Sequence, residues 1–193
     1  ANGDWSSDVC SSDLYKLNGV MYSAEEIKSK VKELAKQIEK DYAGEELLVV
    51  GILKGASVFC ADLIREIDLD VRMDFMVVSS YGSSTESSGT VKIIKDLDVD
   101  IENKNVLIVE DIIDSGLTLS SLVAALKTRR PKSLKLCTLL DKPQRRTANI
   151  DVDYVGYVIE DKFIVGYGID YDEKYRNLPY IGIVEDIDRK SVV

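Results

Sequence analysis

No histidine occurs anywhere in the 193 residues, so imidazole can serve neither as a general base nor as a metal ligand. Proton transfer must fall to Asp, Glu, Lys or Tyr. Cysteine is sparse. Cys10, Cys60 and Cys137 have no metal-ligand spacing, and an odd count does not describe a disulfide framework, which fits a reducing cytoplasm. No apolar stretch approaches the roughly 18 residues that a membrane-spanning helix needs. A basic excess is missing too: the formal net charge of −9 argues against non-specific nucleic-acid binding and reads as an acidic surface. Repeats and linker-like breaks are absent between residues 15 and 187. What remains, at 45% hydrophobic, is one domain over 15–187 with chain enough for a sizeable core.

The two ends stand apart. Residues 4–14 have no apolar period, no basic leader and no hydrophobic region, so they are not a signal peptide. One coding of Asp188 to Ser191 is GAT CGG AAG AGC, and its reverse complement can encode Cys10 to Leu14. Residues 1–14 and 188–193 are therefore expected to be non-native, translated from adapter DNA at the edges of a fragment. A native gene encoding both segments within one longer reading frame would overturn this.

Between the ends, helical and extended patterns alternate. Ser23 and Glu26 form a capping box, followed by apolar positions Ile27, Val31, Leu34 and Ile38, with Gly44 near the stop. Leu47 to Leu53 is a continuous apolar run that predicts a strand buried on both faces. It delivers Lys54-Gly55 to a helix predicted over Ser57 to Ile67; a lysine and a glycine at such a turn let backbone approach an anion. Further strands are predicted at Val71 to Val78, Val91 to Ile94, Leu134 to Leu140 and Val152 to Ile159. Between the first and second of these, the serine- and glycine-rich run from Ser79 to Thr90 is too polar to pack. The alternation predicts an α/β fold with a mainly parallel sheet, its sites at strand carboxyl ends.

The centre of the chain is Val106 to Leu119. Val106 to Val109 predicts a short buried strand, followed by the carboxylates Glu110 and Asp111. Asp114-Ser115-Gly116-Leu117-Thr118 then opens a helix predicted to reach Thr128. Backbone N–H groups at such a helix start suit a phosphate, and carboxylates just before it suit ribose hydroxyls or a hydrated Mg²⁺ ion. This arrangement describes a sugar-phosphate site.

The Glu110-Asp111-Ile112-Ile113-Asp114-Ser115-Gly116 stretch resembles the phosphoribosyl-pyrophosphate (PRPP) motif of type I phosphoribosyltransferases, in the form of the hypoxanthine-guanine branch. Five segments across nearly all of 15–187 agree with that family in order and spacing. The resemblance implies a mainly parallel central sheet flanked by helices, a small hood and a flexible lid loop carrying Ser80 and Tyr81. It implies a purine-salvage enzyme that moves a 5-phosphoribosyl group from PRPP to hypoxanthine or guanine, giving IMP or GMP and pyrophosphate with Mg²⁺ as cofactor. Asp114 is the implied acid–base residue facing purine N7. Glu110 and Asp111 would hold the ribose hydroxyls, directly or through metal-bound water, with Asp170 near a second metal and the exocyclic group of the base. Ser115, Gly116, Leu117 and Thr118 would cradle the 5′-phosphate; Leu117 stands where some relatives carry a basic residue. Lys54, Gly55 and Arg176 would contact pyrophosphate. Lys142 would donate to the purine 6-oxo group, Phe163 would stack on the base, and Val165 would read its edge through backbone. The family also implies a cytoplasmic homodimer or homotetramer. The alternatives are a xanthine- or guanine-preferring relative and a non-catalytic PRPP-sensing regulator. A regulator that bound nucleic acid should show a basic face, which this composition lacks.

Overall fold

The computed structural model describes residues 17–80 and 91–184. The chain runs β1 (Leu17–Tyr22), α1 (Ala24–Asp41), β2 (Leu47–Ile52), α2 (Ser57–Glu66), β3 (Val71–Ser80), β4 (Val91–Lys95), β5 (Asn105–Ile113), α3 (Leu117–Lys127), β6 (Ser133–Asp141), β7 (Tyr154–Val158), β8 (Ile164–Val165) and β9 (Ile181–Val184). Six strands make the central sheet in the order β4-β3-β2-β5-β6-β7. All its pairings are parallel except β3 with β4.

The continuous apolar strands are buried on both faces, as their composition requires. In β2, Leu47 and Val49 join the core under α1 and α2, which also holds Ile27, Leu34, Phe59 and Leu63. Leu48 and Val50 point the other way, into the core under α3 with Ile108, Leu122 and Leu126. The capping box of α1 forms as predicted: the Ser23 side chain accepts from Glu26 N–H and the Glu26 carboxylate accepts from Ser23 N–H.

A second, antiparallel sheet, β1-β9-β8, makes the small hood. It is bound to the main body by the ring of Tyr22 stacked on Tyr157 of β7, with centroids 3.8 Å apart.

Strand order reverses between β2 and β5. From β2 the chain passes outward to β3, then returns to β5 on the opposite flank. Open α/β sheets bind ligands at the carboxyl ends of strands beside such a switch. Here those ends carry Lys54-Gly55 on one side and Glu110-Asp111 on the other.

Two boundaries differ from expectation at this point. β5 continues to Ile113, so Glu110 and Asp111 lie inside the strand, not after it; pairing with β6 persists to Ile113 opposite Asp141. Helix α3 begins at Leu117, because Gly116 adopts a left-handed φ of 77° that no helix can include. Residues 1–14 and 188–193, expected to be non-native, and residues 81–90 of the expected lid loop, Tyr81 among them, fall outside the described residues. Of the lid pair only the backbone of Ser80 is described, at the end of β3.

Candidate active site

The loop from Asp114 to Gly116 is held from outside. The Ser115 carbonyl accepts from the N–H groups of Thr147 and Ala148, both at 3.0 Å. Helix α3 has no side-chain cap and no acidic residue in its first turn. Asp114 therefore does not cap it; Leu117 N–H reaches the Ser115 hydroxyl only at 3.5 Å, a long contact that a ligand anion can replace. A cavity of about 180 Å³ opens there, lined by Glu110 and by residues 112–119, so Ser115, Gly116, Leu117 and Thr118 face one space.

Glu110 and Asp111 share an environment that resists charge. Burial, and then the neighbouring Asp111, hold the Glu110 carboxyl well above its usual range. Burial also raises Asp111, against an opposing 2.9 Å hydrogen bond from Ile112 N–H and the charge of Arg176.

The Lys54-Gly55 turn abuts this pair. A Cβ on Gly55 would stand 2.0 Å from Asp111 Oδ2, so only glycine fits. The Leu53–Lys54 peptide is cis, and the exposed Lys54 ammonium lies 2.6 Å from Glu173. Gly168, at φ 96°, is equally tight: a Cβ there would sit 2.2 Å from the Gly55 carbonyl oxygen. The segment carrying Asp170 and Arg176 is thereby packed against the turn. Arg176 donates to the Gly168 carbonyl at 2.8 Å and pairs with Asp170 and Glu173, each at 3.1 Å. Asp170 also accepts from Glu173 N–H at 2.9 Å.

Lys142 emerges on the other flank, beyond β6. A lysine at a strand exit is usually solvated, but this residue is only 6% exposed. Its ammonium donates to the Lys162 carbonyl at 2.8 Å and lies 3.7 Å from both Asp114 and Asp161. The next residue along, Phe163, is 46% exposed, with its ring edge-on to Tyr171 at 5.2 Å. A large ring left half in solvent beside a buried cation is available for stacking.

Val165 is placed differently from expectation. Its side chain is wholly buried and it pairs with Gly182, while Val184 N–H donates to the Phe163 carbonyl at 2.9 Å. Antiparallel ladders alternate, so residues 163 and 165 turn their backbone groups toward β9 and Ile164 turns its own away. Since β8 is an edge strand, it is Ile164 whose N–H and C=O face the open side. The sequence reading missed Ile164, because parity depends on pairing with β9. It missed Asp161 too, whose role shows only in its contact with Lys142.

The expected metal set, Glu110, Asp111 and Asp170, is not gathered. Among the described residues no three Asp, Glu or Cys groups are arranged to hold a metal ion. A larger cavity, about 490 Å³, lies between α1, α2 and residues 176–179, and of the expected site residues only Arg176 lines it.

A sheet with its switch point between an anion loop and a glycine turn, flanked by a buried lysine and an exposed ring, defines a phosphoribosyltransferase. The sequence profile of the phosphoribosyl transferase domain matches residues 21–172. The hypoxanthine-guanine phosphoribosyltransferase of Bacillus subtilis is 56% identical over 171 residues, 89% of this chain and 95% of its own. That of Streptococcus thermophilus is 53% identical over 167 residues, 86% and 93% of the two chains. A crystal structure of the Bacillus anthracis hypoxanthine-guanine phosphoribosyltransferase, with HEPES in its active site, superposes with a TM-score of 0.85 at 56% identity, covering 88% and 99% of the two chains. The chain belongs to the hypoxanthine-guanine phosphoribosyltransferase family, and it is a pentosyltransferase of purine salvage.

Proposed function

We propose that this enzyme moves the 5-phosphoribosyl group of PRPP onto N9 of hypoxanthine or guanine, releasing pyrophosphate and giving IMP or GMP. Lys142 carries the reading. Its buried ammonium joins the phosphate loop, through Asp114, to the carbonyl preceding Phe163, so one donor spans the sugar and base halves of the site. A 6-oxo group can accept from it; a 6-amino group cannot. Phe163 offers the stacking face, and the outward backbone of Ile164, in place of Val165, reads the purine edge.

Loop 115–118 receives the 5′-phosphate on backbone N–H groups and the Ser115 and Thr118 hydroxyls. Glu110 and Asp111 hold the ribose hydroxyls, while Lys54, Gly55 and Arg176 meet pyrophosphate. Asp114, 49% exposed, faces N7 and moves the proton there, assistance typically worth about 10²–10⁴-fold.

A magnesium ion fits this donor set. Two adjacent carboxyls, both held above their usual range by burial and Glu110 also by the neighbouring Asp111, call for a cation when a polyanion arrives. With no three-ligand cage among the described residues, substrate oxygens and water would supply most of its shell, as Mg²⁺ prefers. Glu110 and Asp111 would be its protein ligands, and it would neutralise charge on the departing pyrophosphate. Asp170 would serve a second ion only by giving up Arg176. We also infer a cytoplasmic homodimer or homotetramer, which sedimentation would test.

The test is a spectrophotometric assay with PRPP, Mg²⁺ and, separately, hypoxanthine, guanine, xanthine and adenine. Nucleotide from hypoxanthine and guanine, with little from adenine, is expected. No product from any base, with PRPP still bound, would overturn the transferase assignment in favour of a PRPP sensor.

A further inference from the structure

Strands β5 and β6 run side by side with Ile113 opposite Asp141. The chain therefore leaves the sheet at two neighbouring points, into Asp114 from one strand and Lys142 from the other. Arg146 folds back over both exits. Its Nε donates to the Asp114 carbonyl at 3.2 Å, Nη2 pairs with the Asp141 carboxylate, and Nη1 reaches the Ile150 carbonyl at 3.5 Å. Its Cδ stands 3.1 Å from where a Cβ on Gly116 would lie, so the stem backs the left-handed turn. The side chain is 18% exposed and that of Asp141 13%. With each guanidinium nitrogen engaged by the protein, Arg146 holds the loop and not the ligand.

We propose that Arg146 is a positioning residue that fixes the phosphate loop, and Asp114 with it, in one frame with the strand end that delivers Lys142. The inference rests on the phosphoribosyltransferase reading of that loop. Three acceptors on three segments need a planar fork; an ammonium on a flexible stem cannot serve all three in their fixed directions. Without the fork the Asp114 carbonyl is released and the converging N–H groups lose register. Misplacement by about an ångström can cost on the order of 100-fold in rate.

The test compares Arg146→Lys, Arg146→Gln and Asp141→Asn with the parent enzyme. Thermal midpoint, kcat, KM for PRPP, and binding of IMP and of inosine by calorimetry are the readouts. Arg146→Lys should stay folded and bind IMP about tenfold or more weakly, with inosine, which lacks the phosphate, changed less than about twofold; kcat should fall at least about tenfold. Asp141→Asn should shift IMP in the same selective way. Ethylguanidinium should partly restore Arg146→Gln, and ammonium should not. Equal losses for IMP and inosine would mean general loosening and would overturn the proposal. So would IMP affinity and kcat staying within about twofold of the parent. Should Arg146→Gln fail to fold, the Lys variant and Asp141→Asn decide. A parent that makes no nucleotide from any purine would remove the underlying reading, whereas an active parent with unaffected variants removes Arg146 alone.

Discussion

Gly55 has no room for a methyl group, since a Cβ would overlap the Asp111 carboxylate. Either the turn or the carboxylate must move in Gly55→Ala, so PRPP affinity should fall by about 100-fold, read by calorimetry, with hypoxanthine binding less affected. Lys142 sits under a different constraint. Truncation to Met leaves Asp114 and Asp161 without their shared cation. It also removes a charge-assisted donor worth about 1.5–3 kcal/mol, so KM for hypoxanthine should rise roughly 10- to 100-fold in steady-state assays. Glu110 pulls stability and function apart. Burial, and then Asp111, hold its carboxyl well above the usual carboxylate range and so disfavour its charge, and Glu110→Gln should raise the thermal midpoint of the ligand-free protein while weakening PRPP. A lower midpoint would contradict that account. The described thiols lie outside this chemistry: both are buried, and burial pushes Cys60 up to about 12.

At the scale of elements, α1 is fastened at both ends. Its start is capped by Ser23 and Glu26. At its finish, Asp41 accepts from Lys135 of β6 at 2.8 Å and from the Tyr154 hydroxyl of β7 at 2.6 Å. These donors, Lys135 first, hold the Asp41 carboxyl below its usual range. A depressed folded-state pKa gives stability that is present above the ordinary aspartate value near 4 and lost as pH falls through the depressed one. Asp41→Asn should therefore melt below the parent at pH 7, and the gap should close under acid, measured by circular dichroism. Elements of this kind were legible in the sequence because their signals are local: a capping box, an apolar run in β2, an acidic pair before a small-residue turn. Strand β8, two residues long, carries no pattern of its own and exists through β9, so the parity that separates Ile164 from Val165 could not be read. Arg146 and Asp161 were hidden for the same reason. Each looks like a solvated charge until folding brings Asp114 and Lys142 beside it. The end of β5 was misjudged because two carboxylates interrupt its apolar run, although backbone pairing with β6 continues through them.

For the whole molecule, the difficulty is an acidic protein whose proposed ligand is itself a polyanion. A net charge of −9 and six carboxylates at or beside the site, against Lys54, Lys142 and Arg176, favour binding only with a cation present. PRPP at about 100 times its Kd with Mg²⁺ should add about 2.7 kcal/mol and raise the melting midpoint by roughly 5–10 °C. With a chelator the shift should vanish, and a shift that survived would remove the metal from the binding step. In the proposed assignment the two flanks of the strand switch also divide the work, pyrophosphate at the β2 end and the sugar phosphate and base at the β5 and β6 ends. That division bears on how the protein can evolve. The outward face of β8 would present peptide groups to the purine, and a peptide group is the same whichever amino acid a codon specifies. Base preference is thus buffered against single-codon change along that edge. A lineage drifting toward another purine would have to alter Lys142 or lengthen the loop before Phe163, and comparing descendants should find their differences there.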